Sequence, residues 1–404
     1  MPSERMEAVQ GGVTAPIGFA ASGVSCGIKK RGKDLALIVS NRPAAVAGML
    51  TTNRLRAPCV EWVEQVLRRG KTRGIVANSG NANCCTGRKG TQDCREMAEE
   101  AGKNLGIPAE QVLVASTGVI GQPLPMPKIR QGIRLAREKL SRTGSPAAAE
   151  AIMTTDTRPK EIAIRWKMGG CLATVGGIAK GSGMIAPNMA TMLAFLTTDV
   201  DAEPETLKEA LALTVPETFN SITVDGEMST NDMVLLMANG GTSTPRIQKG
   251  TADFQHFLEA VRTVCRTLAH EIVRDGEGVT RLFTVRVTGA TTTTEAMKVA
   301  RQVANSILVK TMVAGRDPNW GRIAAAVGAA GVPFQPEKLV IRLGKQIVFR
   351  RGEPVRASRA ALLKQVDQPE VRMEVALGRG NAEAKMLSGD LTESYIKINA
   401  KYTT

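Results

Sequence analysis

Through the first half of the chain, short apolar runs alternate with glycine-rich turns. The run LALIV at 35–39 predicts a strand, as does GIVA at 74–77. The second leads into NSGNAN at 78–83, a dense set of turn formers. Apolar positions Met97, Ala98, Ala101 and Leu105 recur at helical spacing and predict a helix over 92–105. QVLVA at 111–115 predicts a strand, followed by an STGVIG turn at 116–121 and a helix over about 127–140. SRTGSPAAAE at 141–150 reads as a loop.

Strands are expected at 161–166 and 171–175, and ATMLAFL at 190–196 is apolar enough to be buried. Helices are expected over 205–213, 251–272 and 291–309, with a small-residue apolar segment at 323–330. Strands return at 338–349 and 371–377, and the β-branched and aromatic tail IKINAKYTT at 396–404 suits a further strand. Interleaved strands and helices place the chain in the α/β class.

A chain of 404 residues with 43% hydrophobic and 23% charged residues is composed like an ordinary soluble protein, which excludes wholesale disorder. There is no G-x-G-x-x-G fingerprint after a strand and no G-x-x-x-x-G-K-[ST] loop, so the usual nucleotide-binding motifs are missing. The formal charge of +15 raises a nucleic-acid hypothesis. The basic residues are scattered, however, and aromatics make up only 3%, leaving few stacking platforms. A solvated basic surface that attracts anionic metabolites accounts for the same charge.

The seven cysteines are irregularly spaced, and Cys84–Cys85 is neither a CxxC pair nor a zinc loop. Idle thiols in a reducing compartment are expected. No apolar run reaches membrane-spanning length, and MPSERMEAVQGG resembles neither a secretion signal nor a transit peptide, so a cytoplasmic location is expected. With two histidines, no three-histidine metal centre can form within one chain. His256 and His270 fall on the predicted 251–272 helix and read as surface or structural residues.

The segment KGSGMIAPNMATMLAF at 180–195 carries the most specific chemistry. By composition it is a tight turn entering a strand. A chemical reading is also open. A threonine hydroxyl is a weak nucleophile without an adjacent base. Cutting the Ala190–Thr191 bond would give Thr191 a free α-amine, with an ordinary pKa of about 7.7–8, able to take the hydroxyl proton near neutral pH. Such a site needs no histidine.

The chain resembles the glutamate N-acetyltransferase/ornithine acetyltransferase family of arginine biosynthesis. The likeness runs over nearly the whole length in an ordered series of motifs. It comprises GIKK at 27–30, VANSGNAN at 76–83, ASTGVIG at 115–121, MTTDT at 153–157 and KGSGMIAPNMATMLAF at 180–195. It continues with SITVDGEMSTND at 221–232, DGEGVT at 275–280, RDPNWGRI at 316–323 and DLTESYIKINAKYTT at 390–404.

The resemblance implies an α/β, self-processing ornithine acetyltransferase-like fold with internally packed β-sheets and outer helices. It implies cleavage between Ala190 and Thr191, with an N-terminal fragment 1–190 and a C-terminal fragment 191–404 forming one intertwined catalytic unit. Thr191 would be the nucleophile, and the Thr117 hydroxyl and Gly118 N–H the oxyanion hole. By residue type alone, Gly118 is equally a turn glycine. Substrate binding would fall to Thr154, Lys180, Thr191, Glu277, Asn399 and Thr404.

Plainer readings stand beside these roles: a turn threonine for Thr154, with Thr155 adjacent, an exposed cation for Lys180, a solvated loop for Glu277 and a frayed tail for Asn399 and Thr404. The substrates implied are N2-acetyl-L-ornithine and L-glutamate. No metal or organic cofactor is required, and acetyl-CoA is a possible acetyl donor. Nucleic acid and membrane are not expected partners. The fragments are expected to pair as a heterotetramer of two alpha and two beta chains. An N-terminal-nucleophile aminopeptidase, with water as acceptor, and a noncatalytic basic scaffold are the competing functions.

Overall fold

The computed structural model describes residues 6–186 and 192–401. They form two compact units, one from residues through Asn220 together with Glu227–Ile272, the other from Ser221–Gly226 and residues from Val273 onward.

The strands in chain order are β1 (Glu7–Val9), β2 (Phe19–Val24), β3 (Leu35–Leu50), β4 (Lys71–Asn81), β5 (Val112–Val119), β6 (Lys160–Met168), β7 (Cys171–Lys180) and β8 (Leu193–Thr198). They continue with β9 (Ile222–Thr223), β10 (Met233–Ala238), β11 (Leu282–Ala290), β12 (Val340–Leu343), β13 (Gln346–Arg350), β14 (Glu353–Pro354), β15 (Glu370–Ala376) and β16 (Ala382–Gly389).

In the first unit, nine strands make one mixed sheet in the order β1-β6-β7-β8-β10-β3-β4-β5, with β2 also paired to β3. β8 and β10 are parallel neighbours at its middle, and all six residues of each are buried. That explains why LAFLTT and MVLLMA read as continuous rather than alternating apolar runs: both faces of the sheet are covered there. The core gathers the helices α1 (Pro58–Arg69), α2 (Gly87–Leu105), α3 (Met126–Glu138) and α4 (Ser145–Ala151) with β3, β4 and β5. α5 (Pro204–Thr214) packs on β3. From α6 (Ala252–Arg274), Phe257 meets the Trp166 ring of β6 at 6.4 Å between centroids.

The second unit holds a seven-stranded sheet in the order β14-β13-β12-β15-β11-β16-β9. α7 (Thr293–Asn305) packs on β11 and β16, and α8 (Ile307–Ala314) and α9 (Gly321–Gly328) pack on α7. α10 (Arg359–Val366) lies against β12, β13 and β15. The last helix is α11 (Glu393–Lys401). The α/β class expected from interleaving therefore holds. Among the described residues, no helix is long and apolar enough to cross a membrane.

Several elements differ from the sequence expectation for identifiable reasons. The 141–150 stretch is not all loop, because Pro146 in a first helical turn followed by alanines starts α4. The 291–309 helix is two helices: extended Ser306 ends α7 and caps α8 by accepting the Val309 N–H at 3.4 Å. The 338–349 strand is a hairpin that folds at Gly344 (φ +56°). The expected tail strand is instead helical as far as Lys401. Glu393 and Lys397 pair one turn apart, Glu393 opens the helix and Lys401 closes it, so charges match the helix dipole.

Candidate active site

The presumed turn at 116–121 is in large part the end of β5, held parallel to β4 through residues 74–81. Gly118 pairs with Gly80, and both have left-handed φ, +130° and +96°. A Cβ at Gly118 would come within 2.3 Å of the Gly80 carbonyl carbon and 2.5 Å of the Asn81 nitrogen. Only glycine fits this close approach of two backbones.

The turn-former cluster around it is a hydrogen-bonded frame. The Ser116 hydroxyl donates to Asn78 Oδ1 (2.7 Å), the Asn78 amide to the Asn81 carbonyl (2.8 Å), and Asn231 Nδ2 to the carbonyls of Ala82 (2.6 Å) and Ser116 (2.8 Å). Gly118→Ala is accordingly expected to lose about 2–5 kcal/mol of stability from backbone strain and overpacking. An unshifted midpoint in urea unfolding would contradict this geometry.

Thr117, half-buried, accepts a hydrogen bond from Lys180 Nζ at 3.3 Å. Lys180 ends β7 and is only 6% exposed, so it is not the ordinary surface cation its residue type implies. Asp156 organises the ground beside it. One carboxylate oxygen accepts from Lys160 Nζ (2.7 Å) and the Gly181 N–H (2.7 Å), and the other accepts the Thr154 N–H (3.0 Å). Burial alone would raise the Asp156 carboxyl, but Lys180, Lys160 and the Gly181 amide hold it below the usual carboxylate range. The acid thus fixes both the Thr154 turn and the start of the segment that follows Lys180.

A second lysine belongs to this neighbourhood. Asp34 is fully buried and its carboxylate accepts the N–H groups of Cys26, Ile28 and Lys29, which shapes the GIKK loop. Lys29 Nζ then donates to the Met153 carbonyl at 2.9 Å. Burial lowers the Lys29 ammonium, Asp34, Asp156 and Glu150 oppose that, and the nearby Lys180 charge lowers it further. Two ammonium groups close enough to repel are suited to an anionic group of a ligand. Sequence reasoning quoted GIKK and MTTDT without assigning Lys29 or Asp156. Their signal was a lysine and an aspartate inside glycine- and threonine-rich turns, which is indistinguishable from surface residues until burial is known.

In the second unit, Glu277 is 7% exposed within the DGEG loop. Its Oε2 accepts from Asn399 Nδ2 at 2.7 Å, so two residues singled out separately are hydrogen-bonded. The loop is fastened by Asp390, which accepts from the Thr280 N–H (2.8 Å) and hydroxyl (2.6 Å), while the Thr392 hydroxyl donates to the Gly278 carbonyl (2.7 Å). The tail is therefore docked rather than frayed up to Lys401. Ala190, Thr191 and Thr404 lie outside the described residues.

The sequence profile of the ArgJ family matches residues 20–404. A curated relative from Symbiobacterium thermophilum, the arginine biosynthesis bifunctional protein ArgJ, is 49% identical over 99% of this chain and 100% of its own length. The protein of that name from Gloeobacter violaceus is 48% identical over 98% of this chain and 99% of its own. A solved ornithine acetyltransferase complexed with ornithine, from Mycobacterium tuberculosis, is 40% identical over 46% of this chain and 99% of that one, with a TM-score of 0.42. From the profile match and the nearly full-length identity, the chain belongs to the ArgJ family.

Proposed function

We propose that this chain is a bifunctional acetyltransferase of arginine biosynthesis that moves the acetyl group of N2-acetyl-L-ornithine to L-glutamate through an acetyl ester on Thr191. The reading is supported above all by the Lys180–Thr117 contact, which joins two motifs 63 residues apart at the start of the segment that leads to Thr191. Relatives named as bifunctional proteins of arginine biosynthesis support the reaction class.

In this scheme Thr191 Oγ first attacks the Ala190 carbonyl, the peptide C–N bond breaks to leave an ester, and water hydrolyses that ester, giving Ala190 a carboxylate and Thr191 a free hydroxyl and α-amine. Thr191 Oγ then attacks the acetyl carbonyl while the new α-amine takes the hydroxyl proton. The Thr117 hydroxyl and the Gly118 N–H donate to the oxyanion. The C–N bond to ornithine breaks, the ammonium returns its proton to the leaving amine, and ornithine departs. The glutamate amine attacks the ester, the C–O bond breaks, and N-acetylglutamate is released with Thr191 regenerated. Thr154 and Lys180 contact substrate, Lys180 with Lys29 supplying positive charge for carboxylates. Glu277, Asn399 and Thr404 are assigned to substrate binding on the family resemblance.

The sheet order supports the idea that fragments 1–190 and 191–404 stay together. β8 and β10 come from the later fragment, yet they lie between β7 and β3 of the earlier one. Separating the fragments would open two ladders and expose two fully buried strands. The two-plus-two assembly rests on the family resemblance and is checked by native mass.

A covalent intermediate passed between two acceptors predicts double-displacement kinetics. Initial rates over a grid of acetylornithine and glutamate concentrations should give parallel double-reciprocal lines, and intersecting lines would argue for a ternary complex instead. Replacing acetylornithine by acetyl-CoA tests the second proposed donor. Omitting glutamate measures hydrolysis, the aminopeptidase-like outcome.

A further inference from the structure

We propose that Lys310 is a positioning residue for Glu277: its buried ammonium ties the chain after β9 to the end of β16, and these two pieces form the seat on which the DGEG loop rests. This rests on the substrate-binding role proposed for Glu277 above and assigns the group that holds it in place.

Lys310 lies on α8 and is 3% exposed. A lysine ammonium has three donors and no acceptor. Here it donates to the Val224 carbonyl (2.8 Å), the Ser388 hydroxyl (2.7 Å) and the Gly389 carbonyl (2.7 Å). It also stands over the Phe283 ring of β11, 5.6 Å from the centroid. Burial lowers the ammonium to about 8, with Asp225 and Asp390 opposing the shift, so it is charged at neutral pH. Burying a charge against neutral acceptors is costly, and an apolar side chain would fill the same place at less cost. The retained charge points to what it holds.

The two carbonyls belong to residues that touch the loop on either side of Glu277. A Cβ placed on Gly276 would lie 3.1 Å from Val224 Cγ2, and one on Gly389 would lie 2.4 Å from Val279 Cγ2. Gly276 therefore sits against Val224, and Val279 against Gly389. The third acceptor, Ser388, pairs with Thr223 across the β16–β9 ladder and donates to the Ala304 carbonyl of α7 at 3.2 Å. One ammonium thus joins two helices, two strand ends and the loop they carry. Without it, the Val224 and Gly389 carbonyls lose a buried donor, and the seat is free to spread. Glu277 would keep Asn399 as a partner but lose its fixed position.

The test is a double-mutant cycle on processed enzyme: wild type, Lys310→Met, Glu277→Gln and the pair. Methionine keeps an apolar stem and removes the donors. The readout is the half-saturation concentration of N2-acetyl-L-ornithine in single-turnover acetylation of Thr191. Lys310→Met should raise it on the order of 10-fold with the maximal rate within about twofold, as loss of uniform binding predicts. Because Lys310 acts through Glu277, the same change should add little in the Glu277→Gln background, whereas general loosening of the fold would multiply the two effects. Multiplied effects, or an unchanged half-saturation in Lys310→Met, overturn the role. If Lys310→Met does not fold, Ser388→Ala replaces it in the cycle and removes one of the three acceptors. It should give a rise of about threefold that vanishes in the Glu277→Gln background, and a rise that persists there overturns the role. Wild type that never acetylates Thr191 would overturn the reaction reading and this inference together. Glu277→Gln with normal half-saturation would overturn the substrate role of Glu277 and with it this inference. With both of those intact, absence of coupling overturns only Lys310.

Discussion

Thr191→Ala should be recovered as one uncut chain that transfers no acetyl group. Without the side-chain oxygen, nothing at this position can attack the Ala190 carbonyl and shift the acyl group from nitrogen to oxygen. The same oxygen would later form the acetyl ester, so one substitution removes both reactions. Loss of a catalytic nucleophile costs on the order of 10⁶-fold in kcat. The fold should persist, because the β8–β10 and β7–β8 ladders begin at Leu193 and do not depend on the hydroxyl. Intact mass of wild type, prepared without added protease, should give fragments 1–190 and 191–404. Wild type that stays a single chain while fully active would sink the free-amine mechanism. Thr191→Ser is a weaker probe, since it keeps the oxygen but loses the γ-methyl that restricts χ1.

The sequence made the local elements legible and left the long-range ones dark. LALIV, GIVA and QVLVA read as strands because short apolar runs bounded by turn formers are a local signal; the first two lie within β3 and β4, and the third within β5 from Val112 on. The helices over 92–105 and 251–272 read correctly from their 3.6-residue spacing, which α2 and α6 match. Failures occurred where a single residue or a remote partner decides the outcome. Ser306 breaks one helix into two through its cap. The β-branched tail is helical through Lys401 because charge placement outweighs a weak strand propensity.

The candidate site divides in the same way. Which residues are candidates came from the ordered motifs. Which of them touch did not, because Thr117 and Lys180 are 63 positions apart and Glu277 and Asn399 are 122 apart. No pattern in one sequence encodes either meeting. Asp156 and Asp232 stood in quoted motifs without roles, because an aspartate next to threonine and asparagine reads as a turn until its burial is known. Burial raises both carboxyls, yet their net shifts are opposite, one held low by lysines and the other left high. Neighbouring charges, and not residue type, set the difference.

The oxyanion assignment is tested at Thr117, where the expected effect falls on the chemical step. Thr117 is half-buried at the open end of β5, and its side-chain oxygen accepts from Lys180 at 3.3 Å, so its own proton is available to donate. A donor aimed at charge that develops only during attack stabilises the transition state more than bound acetylornithine. Thr117→Ala should therefore lower kcat on the order of 10²–10³-fold, the scale of removing one such donor, while affinity for acetylornithine changes little. Gly118 keeps its backbone conformation in this variant, so the remaining N–H donor stays in place and activity should not vanish. The proposed self-cleavage would pass through a tetrahedral species at a different carbonyl, that of Ala190, and need not use the same donors. Processed Thr117→Ala can then be isolated and checked for wild-type unfolding behaviour. Binding of acetylornithine and single-turnover acetylation of Thr191 are measured on that material. Acetylation at the wild-type rate would remove the Thr117 hydroxyl from the chemistry and leave it as a neighbour of Lys180. Weakened binding with an unchanged acetylation rate would make it a substrate contact instead, since uniform binding energy alters KM without altering kcat.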